Sequence, residues 1–392
     1  MHSLDAYAQD KLASLRERHL YRVLNETLRE DGIWVDRNGR RLLSFSCNDY
    51  LNLTQHPAIK QAAIAAIEEY GAGSGASRLV TGNHPLYAKL EARLAEFKHT
   101  EAACVFGSGY LANTGIIPVL IGSDGLVLLD EFSHACIHAG AQLSRGQIKT
   151  FRHNDVDDAR ALLDAHRARH DRALIVTDGV FSMDGDIAPL HALAALARRH
   201  DAWLMSDDAH GVGVVGGGRG SNFVPPIKAD VPLQMGTLSK ALGAYGGYLC
   251  ASAAVIDLMR NRARTAVYST GLPPAMAAAA IAALDVIERE PGYAALALTK
   301  AQAFARCAGL PEPASPIVPV LLGEAEAALK ASRLLEDQGF LVVAIRPPTV
   351  PGGTARLRLT FTAQHPDREV ERLAELVRTH VLAHAPASAA DA

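Results

Sequence analysis

Several chemically active side chains follow directly on short apolar runs of the sequence. Asp207, Asp208 and His210 come after one such run, and Lys240 comes after another, beside two hydroxyl residues. Two acids and a histidine at the end of a buried segment are costly unless another group compensates them. These residues are therefore the first candidates for chemistry.

Three further segments occupy the same kind of position. They are Phe106-Gly-Ser-Gly-Tyr110, Ser133-His-Ala135 and Phe181-Ser-Met-Asp-Gly-Asp186. The glycine-rich segment opens a helical pattern, and the N–H groups at such a helix start favour an anion. The segments together fit one ligand class, an aldehyde cofactor with a phosphate and a pyridine ring. Such a cofactor needs a lysine, an acid for the ring nitrogen and a phosphate site.

The acid is the most demanding part of this hypothesis. A carboxylate 4 Å from the ring nitrogen contributes about 4 kcal/mol of attraction at an effective dielectric of ~20. It would keep the ring protonated and able to accept electrons. Asp207 and His210 are three residues apart, so within a turn they can reach the ring nitrogen and the ring oxygen. The alternative for Asp207 is a helix N-cap, and Asp208 is the better candidate for a structural role.

Strands and helices must alternate to position these residues. The predicted strands are 103–106, 125–129, 173–177, 202–205 and 231–235, and helical patterns lie near 110–121, 134–143, 155–168 and 188–200. Alternation of this kind predicts an α/β fold with a mostly parallel sheet flanked by helices. Ligands of such sheets bind beyond the carboxyl ends of the strands, where the candidate residues lie.

The pattern changes near residue 285. Strands at 317–322, 342–345 and 355–361 and helices at 324–338 and 367–384 predict a smaller α+β unit. We predict that residues 1–45, an amphipathic helix over 5–30 and a hairpin, join this unit. Residues 46–284 then form the large cofactor-binding domain and residues 285–392 the small C-terminal domain. The tail 385–392 is predicted to be frayed.

Composition excludes several classes of protein. The chain has 392 residues, 49% of them hydrophobic, with 39 Lys and Arg against 42 Asp and Glu. A net charge of −3 and the lack of a basic run argue against a nucleic-acid binder. The uncharged stretch 265–284 contains Gly and Pro-Pro at its middle, so we reject a membrane span. Five dispersed cysteines and a start without a signal peptide predict a cytoplasmic protein.

Two other ligand sites deserve weighing. His134, Cys136 and His138 have poor spacing for zinc, and no second pair of thiolates follows, so no metal is predicted. The run 211–216 fits the dinucleotide pattern GxGxxG, with Asp230 at about the expected distance. A second glycine-rich segment and Pro225-Pro226 follow it in place of an amphipathic helix, so we reject a nicotinamide site.

Long blocks of the sequence resemble the α-oxoamine synthases, a family of fold-type-I pyridoxal-phosphate enzymes with an aspartate-aminotransferase-like fold. The matching blocks are 46–53, 73–82, 177–186, 207–211, 236–240 and 268–270. The block Ile345–Leu359 resembles most the branch that condenses L-alanine with a pimeloyl thioester in biotin synthesis. The resemblance implies a homodimer with shared active sites and no nucleic-acid or membrane partner.

The resemblance also implies roles for individual residues. Lys240 matches the lysine that bonds the cofactor aldehyde, Asp207 the partner of the ring nitrogen and His210 the partner of the ring oxygen. His134 is similar to the histidine stacked on the ring. The expected phosphate contacts are Gly109, Tyr110, Ser182, Thr237 and, from the second subunit, Thr270.

Substrate contacts follow from the same resemblance. Asn48 and Arg358 match the residues that bind the amino-acid carboxylate, with Arg356 as the alternative arginine. An exposed strand face is the structural alternative for both arginines. Arg22 and Thr349 match contacts to the acyl substrate, carried by coenzyme A or acyl-carrier protein. Two other functions stay open: a relative that uses glycine or serine, and a catalytically silent protein.

Overall fold

The N-terminal segment is less regular than its sequence pattern predicts. The computed structural model describes residues 2–18, 20–30, 32–290 and 292–384. Helix α1 (Ser3–Glu17) buries no side chain, and residues 20–27 have no regular structure. The predicted helix over 5–30 is therefore wrong beyond Glu17, because an apolar stripe stabilises a surface helix only where it packs. The predicted tail 385–392 lies outside the described residues.

A hairpin follows this segment. Its strands are β1 (Leu28–Arg29), β2 (Trp34–Arg37) and β3 (Arg40–Ser44), and the turn at Asn38-Gly39 has positive φ at both residues. Asn and Gly tolerate that conformation, which matches the twist of the two strands. Helices α2 (Pro57–Tyr70) and α3 (Pro85–Phe97) then lead into the central sheet.

Seven strands form the central sheet of the described chain. They are β4 (Ala102–Phe106), β5 (Leu126–Asp130), β6 (Gln147–Phe151), β7 (Ala173–Asp178), β8 (Trp203–Asp207), β9 (Leu233–Thr237) and β10 (Gly247–Ala251). The spatial order is β4-β10-β9-β8-β7-β5-β6. Strand β10 runs antiparallel to both neighbours, and the pairs among β5 to β9 are parallel. The predicted mostly parallel sheet is confirmed.

Helices cover the two faces of this sheet. They are α4 (Gly109–Leu120), α5 (Ala135–Ser144), α6 (Val156–His166), α7 (Leu190–Arg199), α8 (Ala253–Arg262), α9 (Arg264–Val267) and α10 (Pro274–Arg289). Every residue of β7 is buried, as are the last four of β8. Such double burial explains the continuous apolar runs. Among the described residues, no helix combines the length and apolar character needed to cross a bilayer.

The C-terminal part forms a second, smaller sheet. Its elements are α11 (Tyr293–Ala308), β11 (Ile317–Gly323), α12 (Ala325–Asp337), β12 (Phe340–Leu341), β13 (Val343–Ile345), β14 (Ala355–Thr360) and α13 (Asp367–Leu376). Strands β11, β14 and β13 pair antiparallel, and β12 pairs with β3 of the N-terminal hairpin. Leu43 and Phe45 share a buried cluster with Leu357 and Phe361. The domain boundaries inferred from the sequence stay a prediction.

The segment after β8 does not have the geometry of a dinucleotide-binding turn. Residues 211–216 form turns, followed by short 3-10 segments at Gly216–Gly218 and Ser221–Phe223. No α-helix begins within the described residues from 208 to 231. The phosphate-binding helix start that a Rossmann turn requires is thus absent there.

Candidate active site

Lys240 lies at the end of a hydrogen-bonded chain of buried and half-buried side chains. Its Nζ is 2.6 Å from Nε2 of His210, and Nδ1 of His210 is 2.7 Å from the Tyr50 hydroxyl. A charged amine only donates, so Nε2 accepts and the Nδ1–H of His210 donates to Tyr50. The Tyr50 hydroxyl in turn donates to Oδ1 of Asn48 at 3.4 Å.

Arg358 on β14 completes this chain. Both of its terminal nitrogens donate to Oδ1 of Asn48 at 3.2 Å, and its Nε donates to the carbonyl of Ser182. The arginine is 7% exposed. Arg356, 4% exposed, forms an ion pair with Asp184 instead. The interpretation of β14 as an exposed face bearing two arginines is therefore wrong.

Burial sets the protonation states along this chain. Burial lowers the pKa of Lys240 to about 8, although the carboxylates of Asp207 and Asp178 oppose the change. Burial and the Lys240 charge lower the pKa of His210 well below its usual range. His210 is therefore a neutral imidazole at neutral pH. An amine whose pKa is near 8 is neutral often enough to act as a nucleophile or base.

Asp207 ends β8 beside this chain. Its Oδ2 accepts from the Asn113 amide at 2.7 Å, and its Oδ1 accepts from the Ala209 N–H at 3.0 Å. The carboxylate is 3% exposed. Because a turn rather than a helix follows, Asp207 is not a helix N-cap. Asp208 points elsewhere and forms a buried ion pair with Lys98 at 3.0 Å, which gives it a structural role.

His134 caps helix α5 shortly after the end of β5, which is separated from β8 by β7. The Nδ1 atom of His134 accepts from the Cys136 N–H at 3.2 Å, and the backbone N–H of His134 donates to the Asp178 carboxyl group at 2.9 Å. Partial burial lowers the pKa of His134, which the Asp207 charge opposes. Burial and the Asp207 charge raise the pKa of Asp178 well above its usual range. The cap fixes one edge of the His134 imidazole.

The start of α4 offers backbone donors. The Ser108 hydroxyl accepts from the Leu111 N–H at 3.1 Å, while the first N–H groups of a helix have no intrahelical acceptor. Gly109 lies against Thr237, because an added Cβ would be 3.6 Å from the Thr237 Cβ. The Thr237 hydroxyl donates to the Gly246 carbonyl at 2.7 Å. It must rotate before it can donate to a phosphate.

A cleft of about 770 Å³ brings together four other predicted residues, namely Arg22, His134, Ser182 and Thr349. Phe132, Phe181, Met183 and Val350 give it apolar walls, and Arg356 also lines it. Thr270 is not among its lining residues. That residue is exposed and forms a backbone bridge with Ser77.

Comparison with known proteins gives the family. The model of aminotransferase class I and II matches residues 40–377. The chain belongs to this family. It is 61% identical to the 8-amino-7-oxononanoate synthase of Beijerinckia indica, over 96% of this chain and 98% of that one. It is 68% identical to the protein of the same name from Methylocella silvestris, over 87% and 97% of the two chains.

Solved structures agree with this family assignment. The serine palmitoyltransferase of Sphingomonas wittichii has a TM-score of 0.89 and 30% identity, with 96% of each chain covered. The structure of a serine palmitoyltransferase from S. paucimobilis, with similar coverage, contains a bound aldimine of pyridoxal phosphate and myriocin. The resemblance to fold-type-I α-oxoamine synthases is therefore confirmed, as is the fold class.

Several residues of this family member's site escaped sequence analysis. Tyr50 lies inside a recognised block, and Asn113 lies one turn into the helix after the glycine-rich segment. His153 follows β6, where no strand was predicted. Its Nδ1 is 3.0 Å from Asp130 and its Nε2 is 2.8 Å from Asp186. Sequence signals existed for Tyr50, which lies in the block 46–53, and for Asn113, which follows the glycine-rich segment by one helical turn; His153 had none.

We expect His153 to make stability depend on pH. Burial lowers the pKa of His153, but the hydrogen bonds to Asp130 and Asp186 outweigh it and raise the pKa to about 10 from 6.5. A pKa raised by folding stabilises the native state fully below the unfolded value and loses this effect as pH rises through the folded value. The stability advantage over His153→Gln should therefore decline between pH 6.5 and about 10.

Urea unfolding of both proteins across this pH range measures the effect. Asp186→Asn removes one of the two carboxylates and should make the decline shallower. An advantage that stays constant or grows with pH would contradict the assignment of a charged imidazole.

Proposed function

We propose that this chain condenses L-alanine with a pimeloyl thioester, giving 8-amino-7-oxononanoate, carbon dioxide and the free thiol carrier, with pyridoxal 5'-phosphate as cofactor. The observation that carries the proposal is a buried amine at Lys240 beside a buried carboxylate at Asp207 in this fold. Identities of 61% and 68% to proteins named for this reaction support the choice of substrates.

The residues present fit the cofactor. Among the described residues, no lysine, arginine or histidine forms an ion pair with Asp207, although its carboxylate is 3% exposed. A buried carboxylate without a cation is costly, and a protonated pyridine nitrogen supplies one. Lys240 would hold the aldehyde, and the N–H groups of Gly109 and Tyr110 would hold the phosphate together with Ser182 and Thr237.

Bound pyridoxal phosphate supplies an electron-accepting ring that stabilises negative charge on the α-carbon of the amino acid. Asp207 keeps the ring nitrogen protonated, and Asn113 fixes the orientation of that carboxylate. Lys240 Nζ, whose pKa burial lowers to about 8, accepts the α-proton of alanine and later returns a proton. Because His210 is neutral, it places no positive charge beside Lys240 that would lower the pKa of the amine further.

Substrate groups are held by residues from two other segments. Arg358 and Asn48 bind the alanine carboxylate, since a guanidinium offers two parallel donors to a carboxylate. His134 closes one face of the site. The cleft bounded by Arg22 and Thr349 takes the acyl chain, and its apolar walls exclude water from the reacting carbonyl.

Substitutions of the two arginines of β14 test which of them binds the alanine carboxylate. We expect Arg358→Lys to raise the KM for alanine about 10- to 100-fold, the scale of a lost hydrogen bond to a charged group. Arg356→Lys, on the same strand but paired with Asp184, should change this KM much less. Steady-state kinetics at saturating thioester gives both values. An equal effect of the two substitutions would show that Arg358 has been assigned the wrong role.

Mass spectrometry of the product tests the proposed function itself. Purified protein with pyridoxal phosphate is supplied with alanine, glycine or serine and with pimeloyl, acetyl or palmitoyl thioesters. We expect product from alanine and pimeloyl thioester, on coenzyme A or on acyl-carrier protein. Preference for glycine or serine would support another α-oxoamine synthase, and a protein that stays colourless with the cofactor would be catalytically silent.

We also propose a homodimer in the cytoplasm. Exposed Thr270 is available to a second subunit, as are the exposed apolar side chains Leu79, Val80 and Tyr268. All five cysteines, which lie in the described part of the chain, are unpaired, in keeping with a reducing compartment. Light scattering of the purified protein measures the subunit number.

A further inference from the structure

His153 is held between two carboxylates where β5 and β6 end. Its Nδ1 faces Asp130 and its Nε2 faces Asp186, at 3.0 Å and 2.8 Å. A carboxylate accepts and does not donate, so each ring nitrogen must carry a hydrogen. The side chain is therefore an imidazolium with both donors satisfied, and its ring plane is fixed by two bonds in opposite directions.

Two aromatic side chains contact this imidazolium. The Phe132 ring stacks on it with 4.6 Å between centroids and 27° between planes, and the Phe181 ring meets it edge-on at 4.4 Å and 89°. Both phenylalanines line the cleft that also contains Arg22 and Thr349. An imidazolium attracts the face of an aromatic ring. Phe181 is 1% exposed and is also held by its core cluster, whereas Phe132 is 40% exposed, so stacking on His153 sets the position of the Phe132 ring.

The same cluster ties together the loops that carry these rings. Asp130 Oδ1 accepts from the Phe132 N–H at 2.9 Å, and Asp130 Oδ2 accepts from the Asn154 N–H at 2.8 Å. The Asn154 amide donates to Asp186 at 2.6 Å. The loops after β5, β6 and β7 are thus joined by two parallel links between Asp130 and Asp186, one through His153 and one through Asn154.

The loop after β7 has a second anchor on the other side of the cleft. Arg358 donates to the Ser182 carbonyl, and Arg356 pairs with Asp184. Phe181 therefore lies in a segment held from β14 at one side and through Asp186 by His153 at the other. Loss of His153 would remove the ring that stacks on Phe132 and one of the two links to Asp186, and it would leave the Asn154 link and the arginine contacts in place.

We propose that His153 is a positioning residue for the acyl substrate, which holds the Phe132 ring as the apolar wall that the alkyl chain of the thioester packs against. The inference rests on the proposed function. It concerns the acyl chain rather than the amino acid because the wall is aromatic. The groups assigned to the alanine carboxylate, Arg358 and Asn48, bond to each other and are not among the residues that line this cleft.

Two substitutions test this inference. We expect His153→Gln to raise the KM for pimeloyl thioester about fivefold, the scale of one aromatic or cation–π contact. The dissociation constant for alanine, read from the absorption of the bound cofactor, should change less than twofold. Phe132→Leu removes the stacked ring but leaves the His153 bonds intact, and it should produce the same selective rise. A purely structural role would affect both substrates alike.

His170→Gln is the matched control, because the His170 ring contacts Gln147 at the opposite end of β6. If His153→Gln does not fold, Phe132→Leu decides. An unchanged thioester KM in Phe132→Leu, or a parallel loss for alanine, overturns the inference while the native enzyme still makes product. A native protein that makes no product from alanine and pimeloyl thioester refutes the proposed function, and this inference with it.

Discussion

Replacing Lys240 with alanine should abolish turnover and the visible absorption of the bound cofactor. The amine at this position is buried at the end of the chain of bonds through His210 and Tyr50. It is proposed both to hold the cofactor aldehyde and to move the α-proton of alanine. Loss of a positioned base alone costs up to about 10⁴-fold, and loss of the covalent attachment adds to that. Product formation and an absorption spectrum measure the two effects.

Lys60→Ala is the control, because Lys60 is exposed and its Nζ donates to the Gln55 side chain at 3.3 Å, away from Lys240 in the chain. Borohydride reduction of the native protein should attach the cofactor to the peptide that spans residues 236–241. A label on another peptide, or a Lys240→Ala protein that keeps its colour and its activity, would contradict the assignment.

Replacing Asp207 with asparagine should leave the fold intact and lower kcat about 10³-fold. The attraction lost between carboxylate and ring nitrogen is about 4 kcal/mol at 4 Å and an effective dielectric of ~20, and each 1.36 kcal/mol is tenfold in rate. The new side chain has nearly the same shape, and its amide oxygen can still accept from Asn113. The comparison of kcat with the melting temperature separates the electrostatic effect from unfolding.

Two controls sharpen this second experiment. Asp230→Asn removes an exposed carboxylate paired with Arg198 and should leave kcat unchanged. A cofactor methylated on its ring nitrogen is cationic at every pH, so it should restore part of the rate of Asp207→Asn. Full activity of that variant with the ordinary cofactor would show that Asp207 does not stabilise a ring cation.

The ends of the central strands were predictable because the burial of a strand leaves a local pattern in the sequence. Strands β7 and β8 are covered on both faces, so each is a continuous apolar run, and the polar residues begin where the run stops. For that reason Asp207 and Lys240 could be placed at the same edge of the sheet. Strand β6 is an edge strand in which only the last residue is buried, and glycines before β10 resemble a loop, so neither strand was predicted.

The sequence by itself therefore determined the chemical inventory, five of the seven strands of the central sheet and the family to which the chain belongs. The tertiary structure decided which partner each side chain has. Asn48 and Arg358 are 310 positions apart and share a hydrogen bond, and His153 meets Asp130 and Asp186 only because three loops converge. Apolar periodicity reports the burial of each segment locally, whereas a hydrogen bond between segments, and the pKa it changes, depends on how the whole chain packs.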